Sequence, residues 1–88
     1  MSDELTRRVI KTIAATKRIP AESVTIDSNF QELGIDSMDA VEILFALETE
    51  FEISIPDEDA HSVRTIRQMC EGVERLVAAK SAGAQAAG

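Results

Sequence analysis

The chain has 88 residues, of which 44% are apolar, with three Phe and neither Tyr nor Trp. One Cys and one His exclude a disulfide framework and a Cys- or His-rich metal site. Sixteen acids against nine bases give a net charge of −7, which disfavours nucleic acid and anionic membranes and favours basic partners.

The first element is expected to be a helix from Asp3 to about Thr16. Leu5, Val9, Ile13 and Thr16 recur at helical spacing, with Ile10 and Ala14 widening the stripe. Ser2 or Asp3 suits the N-cap, Lys17 and Arg18 suit the C-terminal dipole, and Pro20 stops the helix. Residues 20–35 read as a long irregular connection pinned to the core by Val24, Ile26, Phe30 and Leu33. Asp27-Ser28-Asn29 is a turn cluster, and Gly34 is expected to take a backbone angle other residues resist.

A second helix is expected from Asp36 or Ser37 to about Phe51, roughly 24 Å long. Val41, Leu44, Leu47 and Phe51 mark its apolar face, with Ala40 and Ile43 beside it. Met38 and Phe45 fall instead among acids, where a large apolar side chain is more informative than in a core. Pro56 opens a short helical turn through Ala60. Ser62 or Thr65 caps a last helix with Val63, Ile66, Met69, Cys70, Val73, Leu76 and Val77 on its apolar face. Gly72 either weakens that helix or marks a close approach. Residues 79–88 are rich in Ala and Gly and are expected to form a frayed or disordered tail, leaving 1–78 as the folded domain. The expected fold is all-α: a small four-helix bundle of three main helices and one short one, with a long first loop.

Charge is unevenly distributed. No Lys or Arg lies between Arg18 and Arg64, while twelve acids do. No apolar run is long enough for a membrane span, and the acidic N-terminus lacks the pattern of a signal peptide, so a cytoplasmic setting is expected.

Catalytic chemistry finds little support. Ser37 and His61 are present, but Gly34-Ile35-Asp36-Ser37-Met38 is no nucleophile elbow. Asp57-Glu58-Asp59 lacks the Gly and the spacing of a calcium loop. Cys70 reads as a small buried hydrophobe. Ser37 is different. Asp36 can cap the second helix, which leaves the Ser37 hydroxyl exposed in the first turn, where an attached phosphate ester is favoured by the helix dipole.

The run Leu33-Gly34-Ile35-Asp36-Ser37-Met38-Asp39-Ala40-Val41-Glu42 resembles the phosphopantetheine-attachment motif of acyl carrier proteins. The resemblance continues through Leu47-Glu48, Glu50-Phe51-Glu52 and Ile55-Pro56-Asp57-Glu58, and spans about Leu5 to Val77. It implies a non-enzymatic carrier bearing acyl thioesters on 4′-phosphopantetheine, transferred from coenzyme A to Ser37. It implies further that Asp36, Met38, Asp39, Val41, Glu42, Phe45 and Glu48, with Ile55, Asp57, Glu58 and Ala60, meet basic surfaces of the transferase and of acyl-handling enzymes. Leu47, Ile66, Met69 and Cys70 would sheath the acyl chain. No metal is implied. Fatty-acid, lipid and polyketide synthesis are the settings the family serves.

Departures are Thr49, His61, Ser62 and Gly72, which point toward a specialised carrier. The alternatives are an aminoacyl or peptidyl carrier, such as a D-alanyl carrier, and an unmodified acidic helical adaptor. Ile35 stands where peptidyl carriers often have a second Gly, and only chemistry at Ser37 separates the adaptor. Like charges crowded on one helix face repel, so the melting temperature is expected to rise with added salt. A steady fall in a thermal titration would contradict this charge distribution.

Overall fold

The computed structural model describes the backbone of residues 3–87 and the side chains of residues 3–80 apart from Asp57 and Asp59. Among the described residues four α-helices follow in order: α1 (Asp3–Lys17), α2 (Ser37–Phe51), α3 (Asp57–Ser62) and α4 (Ile66–Ala87). A 3₁₀ turn at Ala21–Ser23 interrupts the long first connection. The expected pattern of three main helices and one short one is therefore the observed one. Ser2 as a cap lies outside the described residues. The backbone of α4 runs on as helix past residue 79 to Ala87. Alanine's high helix propensity accounts for that continuation.

The core is aliphatic. Val9 and Ile13 of α1, Ile43 and Leu47 of α2, and Ile66, Cys70 and Val73 of α4 are at most 1% exposed. Each large aliphatic side chain so buried contributes roughly 1.5–3 kcal/mol. The buried face of α2 is centred on Ile43, Leu47 and Phe51, while Val41 lies outside the core, 50% exposed. The apolar pattern alone had placed Val41 on that face. The difference arises because Ile43 and Leu47 are themselves four apart and form their own ridge.

Two ion pairs join α1 to α2 at opposite ends, which fixes the helices antiparallel. Lys17 Nζ meets Asp39 Oδ2 at 2.7 Å, and Arg8 meets Glu50 Oε2 at 2.9 Å. The Arg8 guanidinium also lies 4.5 Å from the Phe51 ring centroid.

The first connection is tied to the start of α4. Phe30 N–H donates to Arg64 C=O at 2.9 Å, Ile66 N–H to Ser28 C=O at 3.0 Å, and Arg67 N–H to Ile26 C=O at 3.1 Å. Asn29 and Thr65 form an isolated antiparallel bridge. Thr65, rather than Ser62, caps α4: its Oγ1 accepts from Gln68 N–H at 3.1 Å, and Gln68 Oε1 accepts from Thr65 N–H at 3.2 Å.

Chain reversals show where backbone strain resides. Gly34 has φ 71°, with open space where a Cβ would stand. Arg18 and Glu52 take positive φ at helix C-termini, 64° and 54°, where Gly is usual. Gly34→Ala is therefore expected to lose about 1 kcal/mol through strain alone, and Glu52→Gly to gain up to about 1 kcal/mol. Urea unfolding reads both; equal stability of all three proteins would contradict the assignment of strain.

Candidate functional site at the start of helix α2

The site begins with a buried anchor. Ile35 is only 9% exposed, and its N–H donates to Phe30 C=O at 2.9 Å. Burying it directs the next residues outward. Asp36 is the N-cap of α2: its Oδ1 accepts from Asp39 N–H at 2.9 Å, and Asp39 Oδ2 accepts from Asp36 N–H at 3.4 Å. This reciprocal capping box is completed by Lys17, whose ammonium binds the same Asp39 oxygen. Ser37 follows as the first helical residue and is exposed.

The hydrogen bond from Lys17 is the main cause holding the Asp39 carboxyl below its ordinary value of 3.8; the capping bond from Asp36 adds to it. The same hydrogen bond raises Lys17 above its ordinary 10.5. The link is thus fully formed between those two ordinary values. It is lost as pH falls through the depressed Asp39 value, or rises through the elevated Lys17 value.

Two hollows lie along α2, one of them lined by Ser37. A groove of about 420 Å³ is lined by Asp36, Ser37, Val41, Ala60, His61 and Arg64, among others. It shares Leu44, Ala60 and Val63 with a more enclosed cavity of about 250 Å³ between α2, α3 and α4, where Ile55, Met69, Val73 and Leu76 add apolar wall. Gly72 also lines this cavity, and nothing lies within 4 Å of the position its Cβ would occupy. Its place leaves an opening in the wall of α4 rather than marking a close approach.

The expected site residues divide into groups. Met38 (76% exposed), Val41 and Phe45 (65%) form an apolar strip on α2, with Glu42 exposed beside it. Glu58 is exposed on α3, while the side chain of Asp57 lies outside the described residues. Asp39 and Glu48 do not project freely, contrary to their expected place in an acidic stripe. Asp39 is held by Lys17 and the cap, and Glu48 Oε2 accepts from Ile55 N–H at 2.8 Å. Ile55 and Ala60, expected on the partner surface, are half-buried and line the cavity.

The expected acyl sheath shifts as well. Of Leu47, Ile66, Met69 and Cys70, only Met69 lines the cavity; the other three are fully buried in the packed core. Helical spacing identified apolar residues without telling those facing a hollow from those facing another helix. Burial pushes the Cys70 thiol up to about 11, as suits an inert core residue. Sequence reasoning missed Ile35 as an anchor and Leu44 as the residue joining groove to cavity.

A phosphodiester-linked arm fits this arrangement. The Ser37 hydroxyl is exposed, it stands at a helix start, and Ser37 lines a groove that shares Leu44, Ala60 and Val63 with a cavity of mixed apolar and polar lining. The family description "phosphopantetheine attachment site" matches residues 7–73. The chain belongs to the acyl carrier protein family. Among its relatives, the acyl carrier protein of Treponema denticola is 41% identical over 73 residues, covering 82% of this chain and 94% of that one. The solution structure of acetyl actinorhodin acyl carrier protein from Streptomyces coelicolor superposes with a TM-score of 0.66 at 25% identity, over 91% of this chain and 94% of that one. The apo doublet acyl carrier protein from prodigiosin biosynthesis gives a TM-score of 0.73 at 23% identity, over 83% of this chain; the chain spans only 36% of that larger protein.

Acyl carrier proteins are carriers, not enzymes, and bear covalently attached 4′-phosphopantetheine on which acyl groups travel between acyl-handling enzymes. Among the described residues, no helix is long and apolar enough to cross a membrane.

Asp36→Ala removes the cap and is expected to cost about 1 kcal/mol in urea unfolding. Amide exchange at Asp39 should accelerate more than at Val73. Uniform acceleration at the two amides would contradict a local capping role.

Proposed function

We propose that Ser37 bears the phosphopantetheine arm and that this chain carries acyl groups for fatty-acid, lipid or polyketide synthesis in the cytoplasm. One observation carries the reading: Ser37 is exposed at the first position of α2 and lines a groove that shares Leu44, Ala60 and Val63 with a partly apolar cavity. In the transfer, Ser37 Oγ attacks the coenzyme A phosphorus that bears the pantetheine. The bond from that phosphorus to the bridging oxygen breaks, 3′,5′-ADP leaves, and the hydroxyl proton passes to a base of the transferase. The arm's thiol then holds an acyl group as a thioester, which keeps its carbonyl reactive.

The chain's own residues supply position and access. The Asp36–Asp39–Lys17 link fixes the start of α2, so Ser37 is presented in one geometry. Met38, Val41 and Phe45 offer an apolar contact to the transferase and to acyl-handling enzymes, and Glu42 and Glu58 offer charge to their basic surfaces. Such a surface suits brief encounters steered by charge. The cavity of about 250 Å³ lies beyond Leu44, where an acyl chain entering past Ala60 and Val63 would be shielded. His61 on the groove and Gly72 on the cavity support a specialised cargo.

Incubation with coenzyme A and a broad-specificity phosphopantetheinyl transferase is expected to add one phosphopantetheine unit to the intact mass. Ser37→Ala is expected to add none. A folded wild-type protein that gains no mass, or an equal gain in the variant, would overturn the assignment of Ser37.

A further inference from the structure

A phosphodiester on Ser37 meets an adverse local charge. Asp36 precedes it, and Asp39 and Glu42 lie within the next turn and a half of α2. The helix start offsets only part of that repulsion, because its effective charge is about half a unit. Lys17, at the end of α1, is engaged by Asp39 at 2.7 Å. Arg8 is bound to Glu50 at 2.9 Å and Arg67 to Asp27 at 2.7 Å.

Arg64 stands apart from these. Among the described residues its guanidinium has no ion-pair partner, and Arg64 is one of the residues lining the groove with Ser37, as is His61. Its backbone is fixed on both sides. Its N–H donates to Gln68 Oε1 at 2.8 Å, and its C=O accepts from Phe30 N–H at 2.9 Å. The C=O of Phe30 in turn accepts from Ile35 N–H at 2.9 Å. Phe30 therefore binds both the residue that carries the guanidinium and the residue that leads into Asp36 and Ser37. The two walls of the groove are held in register by one residue.

We propose that Arg64, with His61 beside it, lines a wall of the groove and that its guanidinium holds the phosphodiester of an arm attached to Ser37. This rests on Ser37 being the attachment point. The pairing lays the first bonds of the arm along the groove, toward Leu44 and the cavity, instead of leaving them to swing freely. Arg suits the task because its planar fork matches phosphate oxygens two at a time. The acids around Ser37 can then serve partner enzymes without expelling the arm.

Phosphorus NMR of the loaded, full-length protein tests this. The comparison is among wild type, Arg64→Gln, Arg64→Lys and a control, Arg75→Gln, whose residue lines the other cavity. Each is referenced to the same protein unfolded in urea. In wild type the phosphorus resonance is expected to be displaced and broadened relative to the unfolded reference. Arg64→Gln should lose most of that displacement, Arg64→Lys should retain part of it, and Arg75→Gln should retain it all. Added salt should move the wild-type resonance toward the unfolded position, a readout that needs no variant. Identical resonances in wild type and Arg64→Gln, or an equal loss in Arg75→Gln, would overturn the proposal. Absence of any phosphorus resonance on the protein would instead refute Ser37 as the attachment point.

Discussion

The rest of the structure depends on a three-point link at the start of α2. Asp36 caps the helix, Asp39 closes the cap from within, and Lys17 ties Asp39 to the end of α1. Ile35 on one side is buried and Ser37 on the other is exposed. The exposed Ser37 hydroxyl is thus attached to a backbone that is capped and tied on both sides. In the same arrangement Val41 and Leu44 of α2 line the groove together with Ala60 and His61 of α3.

Charge serves two purposes in this molecule. The acidic middle of the chain gives a net charge of −7, yet not every acid faces outward to partners. Asp39 stabilises a helix start, and Glu48 accepts a backbone N–H from Ile55, which holds the segment leading into α3. What is left on the surface is narrower and more apolar than a continuous acidic stripe: Met38, Val41 and Phe45 with Glu42 alongside. In the proposed carrier role, charge would steer encounter over distance and the apolar strip would supply contact once the partner arrives.

Much of this was legible in the sequence. Helical spacing in Val9-Ile13 and in Ile66-Cys70-Val73 defined α1 and α4, and Asp36-Ser37 marked both a cap and an exposed hydroxyl. Gly34 was legible because a positive φ favours a residue without Cβ. Other features were not. Ile35 sits in an irregular connection, where no periodicity reports burial. Asp39 and Glu48 look like any exposed helical acid until Lys17 and the Ile55 N–H are placed beside them in space. Leu47 and Leu44 carry the same side chain, but one packs in the core and the other lines a hollow. The continuation of α4 to Ala87 was obscured because small residues carry no amphipathic pattern.

The central claim is that Ser37 opens along α2 into the cavity beyond Leu44. Nuclear Overhauser contacts from a labelled octanoyl chain on the Ser37-linked arm test it most directly. The account predicts contacts to Met69 and Leu76, and none to Leu47 or Ile66 in the closed core. A separate hollow between α1 and α2 is lined by Thr12, Phe45 and Thr49; contacts confined to it, or an acyl chain in contact with no protein methyl group, would contradict the claim.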